Sequence, residues 1–139
     1  MVGVSVCYKG ELHCEATHQP SGAVIATDAP VDNQGRGEAF SPTDMVAAAL
    51  GTCMLTTMAI VARRKGIDLP GASVEVEKHM TTEGPRRIAR LVTRIAIDLP
   101  PTHPERPVLE AAAHACPVHR SLHPDVQKDI EFKWTRQPA

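Results

Sequence analysis

Residues 41–66 read SPTDMVAAALGTCMLTTMAIVARRKG, and the fold turns on what this stretch can become. Ser41 is a favourable N-cap, and Pro42 suits the first helical position, where its missing amide costs nothing. Asp44 complements the helix dipole in the first turn, as Arg63, Arg64 and Lys65 do in the last, and Gly66 supplies the stop. Between these signals, Met45 to Ala62 carries no charge and approaches the length that spans a bilayer. Its content is mostly Ala, Thr and Gly, with few Leu or Ile, and gains little from lipid. The stretch therefore reads as a fully buried core helix and not as a membrane span.

Upstream, Val2, Val4 and Val6 alternate with Gly3, Ser5 and Cys7, and Leu12, Cys14 and Ala16 alternate with Glu11, His13 and Glu15. A two-residue turn at Lys9-Gly10 would set Val6 against His13. A three-residue loop, Tyr8-Lys9-Gly10, is expected instead: it pairs Val6 with Leu12 and Val4 with Cys14, with Gly10 at the left-handed bulge position. Cys7 and Cys14 then face opposite sides and should not join. A third strand is expected near Gly22 to Thr27, followed by a long polar loop, Asp28 to Ala39, of the kind that often carries function.

Downstream, Val74 and Val76 alternate with Glu75 and Glu77, Gly84-Pro85 marks a turn, and Leu91, Thr93, Ile95 and Ile97 alternate with Arg90, Val92, Arg94 and Ala96. Thr102 and Glu105 form a weak capping box, although Pro107 draws the start of the second helix towards itself; that helix runs to about Ala115. Ile130, Phe132 and Trp134 alternate in a last strand. The order strands, helix, strands, helix, strand gives one α+β domain over 1–139.

Composition narrows the function. Aromatic residues are 3% of the 139, too few for base-stacking platforms, and a net charge of -1 draws in neither nucleic acid nor anionic membrane. There is no Gly-rich phosphate loop, dinucleotide fingerprint or Ser-centred elbow, so no cofactor is expected. Met1-Val2-Gly3-Val4-Ser5 opens directly into a strand pattern without a signal peptide. Four cysteines in that context point to a reducing, cytoplasmic compartment where thiols stay free for chemistry or metal.

Cys53 lies mid-helix, where a cysteine taken alone is more often a small core residue. To act as a nucleophile it needs a cation to stabilise its thiolate against burial. Arg36 is the obvious source, in the loop just before the helix, with Gly35 and Gly37 allowing a close backbone approach. Cys116 precedes Pro117 and reads as the N-cap of a short helix, where amides and the dipole favour a thiolate; His119 and Arg120 add potential positive charge. An alternative is a non-catalytic metal- or thiol-ligand-binding protein built on His114, Cys116 and His119, with Cys53 or His103 as a fourth ligand. That spacing matches no familiar zinc pattern, and no metal is assigned.

Phe40-Ser41-Pro42-Thr43-Asp44-Met45, leading through Ala47-Ala48-Ala49 to Leu50-Gly51-Thr52-Cys53, resembles the OsmC/Ohr family (osmotically induced protein C and organic hydroperoxide resistance protein), and Cys116-Pro117-Val118-His119 supplies the second half of that resemblance. It covers nearly the whole chain. It implies an OsmC-like fold of antiparallel sheets around a long buried central helix, assembled as an intertwined homodimer with sites at the subunit interface. It also implies a thiol peroxidase reducing organic, and to some extent inorganic, hydroperoxides at the expense of an external dithiol of the lipoyl type. Cys53 then matches the peroxidatic cysteine, Cys116 the resolving one, and Arg36 the activating arginine. One departure matters. Where the family places a glutamate ten positions before the first cysteine, this chain has Thr43, so Asp44 or Glu38 must supply the acid that holds Arg36, or the chemistry has drifted.

Overall fold

Backbone pairing, more than apolar burial, organises the first third of the chain. A computed structural model describes residues 1–137, and the chain packs as two compact units, Met1–Val46 and the part from Ala47 onward. In the first unit β1 (Val4–Gly10), β2 (His13–His18) and β3 (Val24–Asp28) form an antiparallel sheet in that order. The expected hairpin register is not the one formed. Val6 pairs with Ala16 and Val4 with His18, and the turn sits at Glu11-Leu12, whose positive φ values of 52° and 63° are those of a type I′ turn. An irregularity between Tyr8 and Gly10, with Gly10 at φ 88°, absorbs an extra residue and carries the turn past the glycine. Alternation alone has no way to register that bulge. Cys7 faces Glu15 while Cys14 faces Tyr8, so the two cysteines do lie on opposite faces, and both are free.

The buried residues of this unit are Thr27, Asp28 and Ser41, all polar, whereas Val4, Val6 and Tyr8 remain 59%, 62% and 66% exposed. After β3 the loop makes one 3-10 turn at Val31–Asn33 before α1 (Pro42–Arg64). A reciprocal capping box starts that helix: the Asp44 amide donates to Ser41 Oγ at 3.1 Å, and the Ser41 amide donates to Asp44 Oδ2 at 2.9 Å. Gly66, at φ 70°, follows its last turn.

From Ala47 onward, α1 buries Ala47, Leu50, Gly51, Met54, Met58 and Ala62, a stripe at helical spacing. Thr52, Thr56, Ala59 and Ile60 on the other side are exposed. Burial within one chain is thus a stripe and not complete, because a helix laid on one sheet hides only the face it turns to it. The helix is long and apolar enough to cross a membrane by length and composition alone. Two of its threonines hide their hydroxyls on the helix backbone, Thr52 Oγ1 donating to the Ala48 carbonyl and Thr57 Oγ1 to that of Cys53, both at 2.8 Å.

The second sheet holds β4 (Ser73–Met80), β5 (Ile88–Ile97) and β6 (Gln127–Trp134), in that order. β4 and β5 are antiparallel as expected, but β6 runs parallel to β5. The reason is the connection: α2 (Arg106–His114) and α3 (Pro117–Ser121) lie between them and return the chain to the starting end, as a parallel pair requires. α2 starts beside Pro107 and not at Thr102. Leu91, Thr93, Ile95 and Ile97 of β5 are buried, while on the opposite face Arg94 pairs with Glu77 and Glu131. A Cβ added at Gly51 would meet Val76 Cγ2 at 3.0 Å and Val74 Cγ1 at 3.1 Å, so α1 lies closer to β4 there than a side chain permits.

Candidate functional site

Two of the residues singled out above meet in the second unit. Cys53 stands on α1 in the turn after Gly51, half-buried, and packs against the core that contains wholly buried Cys116. Ala115 ends α2, Cys116 turns extended (φ −63°, ψ 145°), and Pro117 sets the first position of α3. Cys116 is the N-cap that its sequence context implied: its Sγ accepts the His119 amide at 3.3 Å.

The Cys116 thiol is nevertheless pushed up from the usual cysteine range. Burial is the main cause and outweighs the His119 amide, and a hydrogen bond and charge interaction with Cys53 add to the rise. The expected cap is present, but desolvation wins. The surroundings of Cys116 therefore favour the thiol form, beside the more accessible Cys53. His119 does not supply the positive charge expected of it, since burial first, then Lys128 and His114, pull its imidazole below the ordinary histidine range. His114 is exposed, with its ring 6.2 Å from that of His119 and 5.7 Å from Phe132.

The metal-binding alternative finds no such convergence. His103 Nδ1 accepts the Glu105 amide in the turn before α2. Among the described residues His114, Cys116 and His119 do not bring their donor atoms to metal spacing; the group that does is His13, Asp28 and Glu38. Sequence reading missed this group because its members lie on β2, at the end of β3 and in the loop beyond.

The same buried Asp28 anchors the loop that carries Arg36. Its Oδ2 accepts the amides of Arg36 at 3.2 Å and Glu38 at 3.0 Å. Its carboxyl is held below the usual range, chiefly by the Glu38 amide, with burial opposing and His13 and the Arg36 amide assisting. Gly35 is obligatory here, because a Cβ would lie 1.7 Å from the Ala29 carbonyl oxygen. The Arg36 guanidinium is exposed and pairs with Glu11 at 3.5 Å and Glu38 at 3.7 Å. Of the two acids considered in place of a glutamate at Thr43, Glu38 is ion-paired to Arg36 and Asp44 caps α1. Thr43 Oγ1 itself lies 3.2 Å from Ser41 Oγ.

Residues 35–131 match the family model described as OsmC-like protein. A solved structure of a candidate osmotic stress induced and detoxification response protein from Psychrobacter arcticus is 41% identical, with a TM-score of 0.88 over 95% of this chain and 96% of the other. An organic hydroperoxide resistance protein OsmC from Legionella pneumophila shares the fold at 20% identity, TM-score 0.73, covering 96% of each chain. The organic hydroperoxide resistance protein OhrB of Bacillus subtilis does so at 15% identity, TM-score 0.71, over 96% of this chain and 98% of its own. No curated protein matches the chain.

Proposed function

The chain belongs to the OsmC-like family, and from that premise we propose that it is a thiol peroxidase reducing organic hydroperoxides through Cys53 and Cys116. The observation that carries this is the placement of half-buried Cys53 against the core that contains wholly buried Cys116, whose thiol is pushed up by burial first and by Cys53 in lesser part. Cys53, the more exposed of the two, is then the sulfur that meets the hydroperoxide, and Cys116 the one that resolves it.

The Cys53 thiolate attacks the distal oxygen of the hydroperoxide. The O–O bond breaks, the alkoxide leaves and takes up a proton as alcohol, and Cys53 becomes a sulfenic acid. Cys116 attacks that sulfur and water departs, leaving a disulfide. A dithiol reductant restores both thiols by two exchanges and is itself oxidised to a disulfide. Arg36, positioned by Glu38, is assigned the cationic role that favours the Cys53 thiolate and the departing oxygen. The work belongs to a reducing, cytoplasmic setting.

A homodimer is part of the same reading. A sheet whose own unit buries only polar residues, with Val4, Val6 and Tyr8 open to solvent, is marginal until its apolar face is covered. The exposed side of α1 makes the same demand. A second copy meets both, and light scattering on the eluted protein should give twice the chain mass. The function itself is tested by turnover of cumene hydroperoxide with dihydrolipoamide, compared with hydrogen peroxide. Full activity in Cys53→Ser would end the proposal.

A further inference from the structure

We propose that His13, Asp28 and Glu38 form a binding site for a divalent first-row transition ion, with zinc as the best fit. One donor atom from each of the three lies within 4.8 Å of the others. The His13 tautomer is set by a hydrogen bond: Nδ1 lies 2.7 Å from the Glu11 carbonyl and so carries the proton. In the neutral ring Nε2 is then a bare lone pair, and it faces Glu38 Oε2 at 3.3 Å and Asp28 Oδ2 at 3.6 Å. Such an arrangement holds only with positive charge between the three atoms, from a proton or from an ion. The spacing decides between them. A charge-assisted N–H···O bond spans about 2.7–2.9 Å, whereas bonds of about 2.0–2.1 Å at tetrahedral angles put donors roughly 3.3 Å apart. The two His13 separations lie nearer the ion's spacing, and the two carboxylates come within 4.8 Å of each other. A metal-binding imidazole also characteristically donates its other N–H to a carbonyl, as His13 does to Glu11.

Asp28 supplies the second observation. Its side chain is wholly buried, and while Oδ2 takes two amides, Oδ1 has no hydrogen-bond partner. An orphaned carboxylate oxygen in that setting is costly. An ion beside Oδ2 is within reach of Oδ1 of the same group, and ligation through both satisfies it. Charge agrees as well. With His13 neutral, Asp28, Glu38 and Glu11 carry three negative charges against the single positive charge of Arg36, leaving an excess equal to one divalent cation. Imidazole with carboxylates suits zinc, iron or manganese better than calcium or cuprous copper. Half-exposed Glu38 and partly exposed His13 leave a further position open to water. A bound ion would join β2, β3 and the Arg36 loop, and would compete with Arg36 for Glu38.

The test uses the full chain, stripped by chelator, freed of it, and titrated with zinc against a chromophoric chelator. Cys53 and Cys116 can themselves take up zinc, so the reference is the Cys53→Ser/Cys116→Ser variant, which should still bind one equivalent per chain. In that background His13→Ala and Glu38→Gln should each weaken binding by about tenfold or more. Cobalt(II) in place of zinc should give visible absorption bands that His13→Ala abolishes. His13 takes no part in the Asp28–amide bonds that hold the loop, so its removal spares the fold; should circular dichroism show otherwise, Glu38→Gln decides. The proposal is overturned if the double-cysteine variant binds no zinc, or if its affinity is the same with Glu38 replaced.

Discussion

Gly51 sets how near α1 comes to β4, two residues before Cys53, and Gly51→Ala opposes two effects of known size. Alanine in a helix interior is favoured over glycine by about 1 kcal/mol. Against this, the new methyl would sit 3.0 Å from Val76 Cγ2 and 3.1 Å from Val74 Cγ1, several tenths of an ångström inside ordinary contact. Both valines are β-branched and stand in a paired strand, so neither rotates away easily. Overpacking of this kind costs roughly 1–3 kcal/mol. The expected net is a loss of about 1 kcal/mol, or a fall of roughly 4 °C in Tm for a domain of this size. Urea unfolding at one fixed protein concentration measures it, since association would otherwise shift the midpoint. In a Val76→Ala background one of the two clashes disappears, and the penalty should shrink by about 0.5 kcal/mol or more. The helix displacement should also slow disulfide formation between Cys53 and Cys116 after one equivalent of peroxide. A Gly51→Ala protein stabilised by the full helix-propensity gain, with no coupling to Val76, would refute the close approach.

Cys116→Ser should release one equivalent of alcohol from cumene hydroperoxide and then stall, with a sulfenic acid on Cys53 that dimedone traps; unabated turnover would remove Cys116 from the cycle. Oxidation of the unaltered chain should consume two of its four thiols, leaving Cys7 and Cys14 titratable with a thiol reagent. Gly35→Ala drives a methyl into the Ala29 carbonyl and should disorder the Arg36 loop, lowering peroxidase activity at least tenfold while the Cys53–Cys116 disulfide still forms under a chemical oxidant. His119 is depressed in the fold, so between its folded value and roughly 6.5 the unfolded chain binds a proton that the folded chain does not. Stability therefore rises with pH across that window, and His119→Gln should flatten the slope. Cys116 is raised, so its contribution is complete below roughly 8.5 and is lost as pH climbs through its folded value. Cys116→Ala should remove that alkaline decline, read from urea midpoints at successive pH values.

What was legible along the chain was local. Ser41, Pro42 and Asp44 announce the start of α1 and Gly66 its end, because capping is settled by atoms within one turn. Cys116-Pro117 declares an N-cap for the same reason. The alternations of β4 and β5 give their inner faces, since strand periodicity is a property of the strand alone. The tertiary structure decided whatever depends on partners distant in sequence. It moved the first hairpin's turn to Glu11-Leu12 by means of a bulge and made β6 parallel through the α2–α3 crossover. It buried Cys116 enough to reverse the effect of its cap, and it drew His13, Asp28 and Glu38 to metal spacing. Desolvation and convergence are set by what the rest of the chain packs around a group, and no stretch of a few residues carries that information.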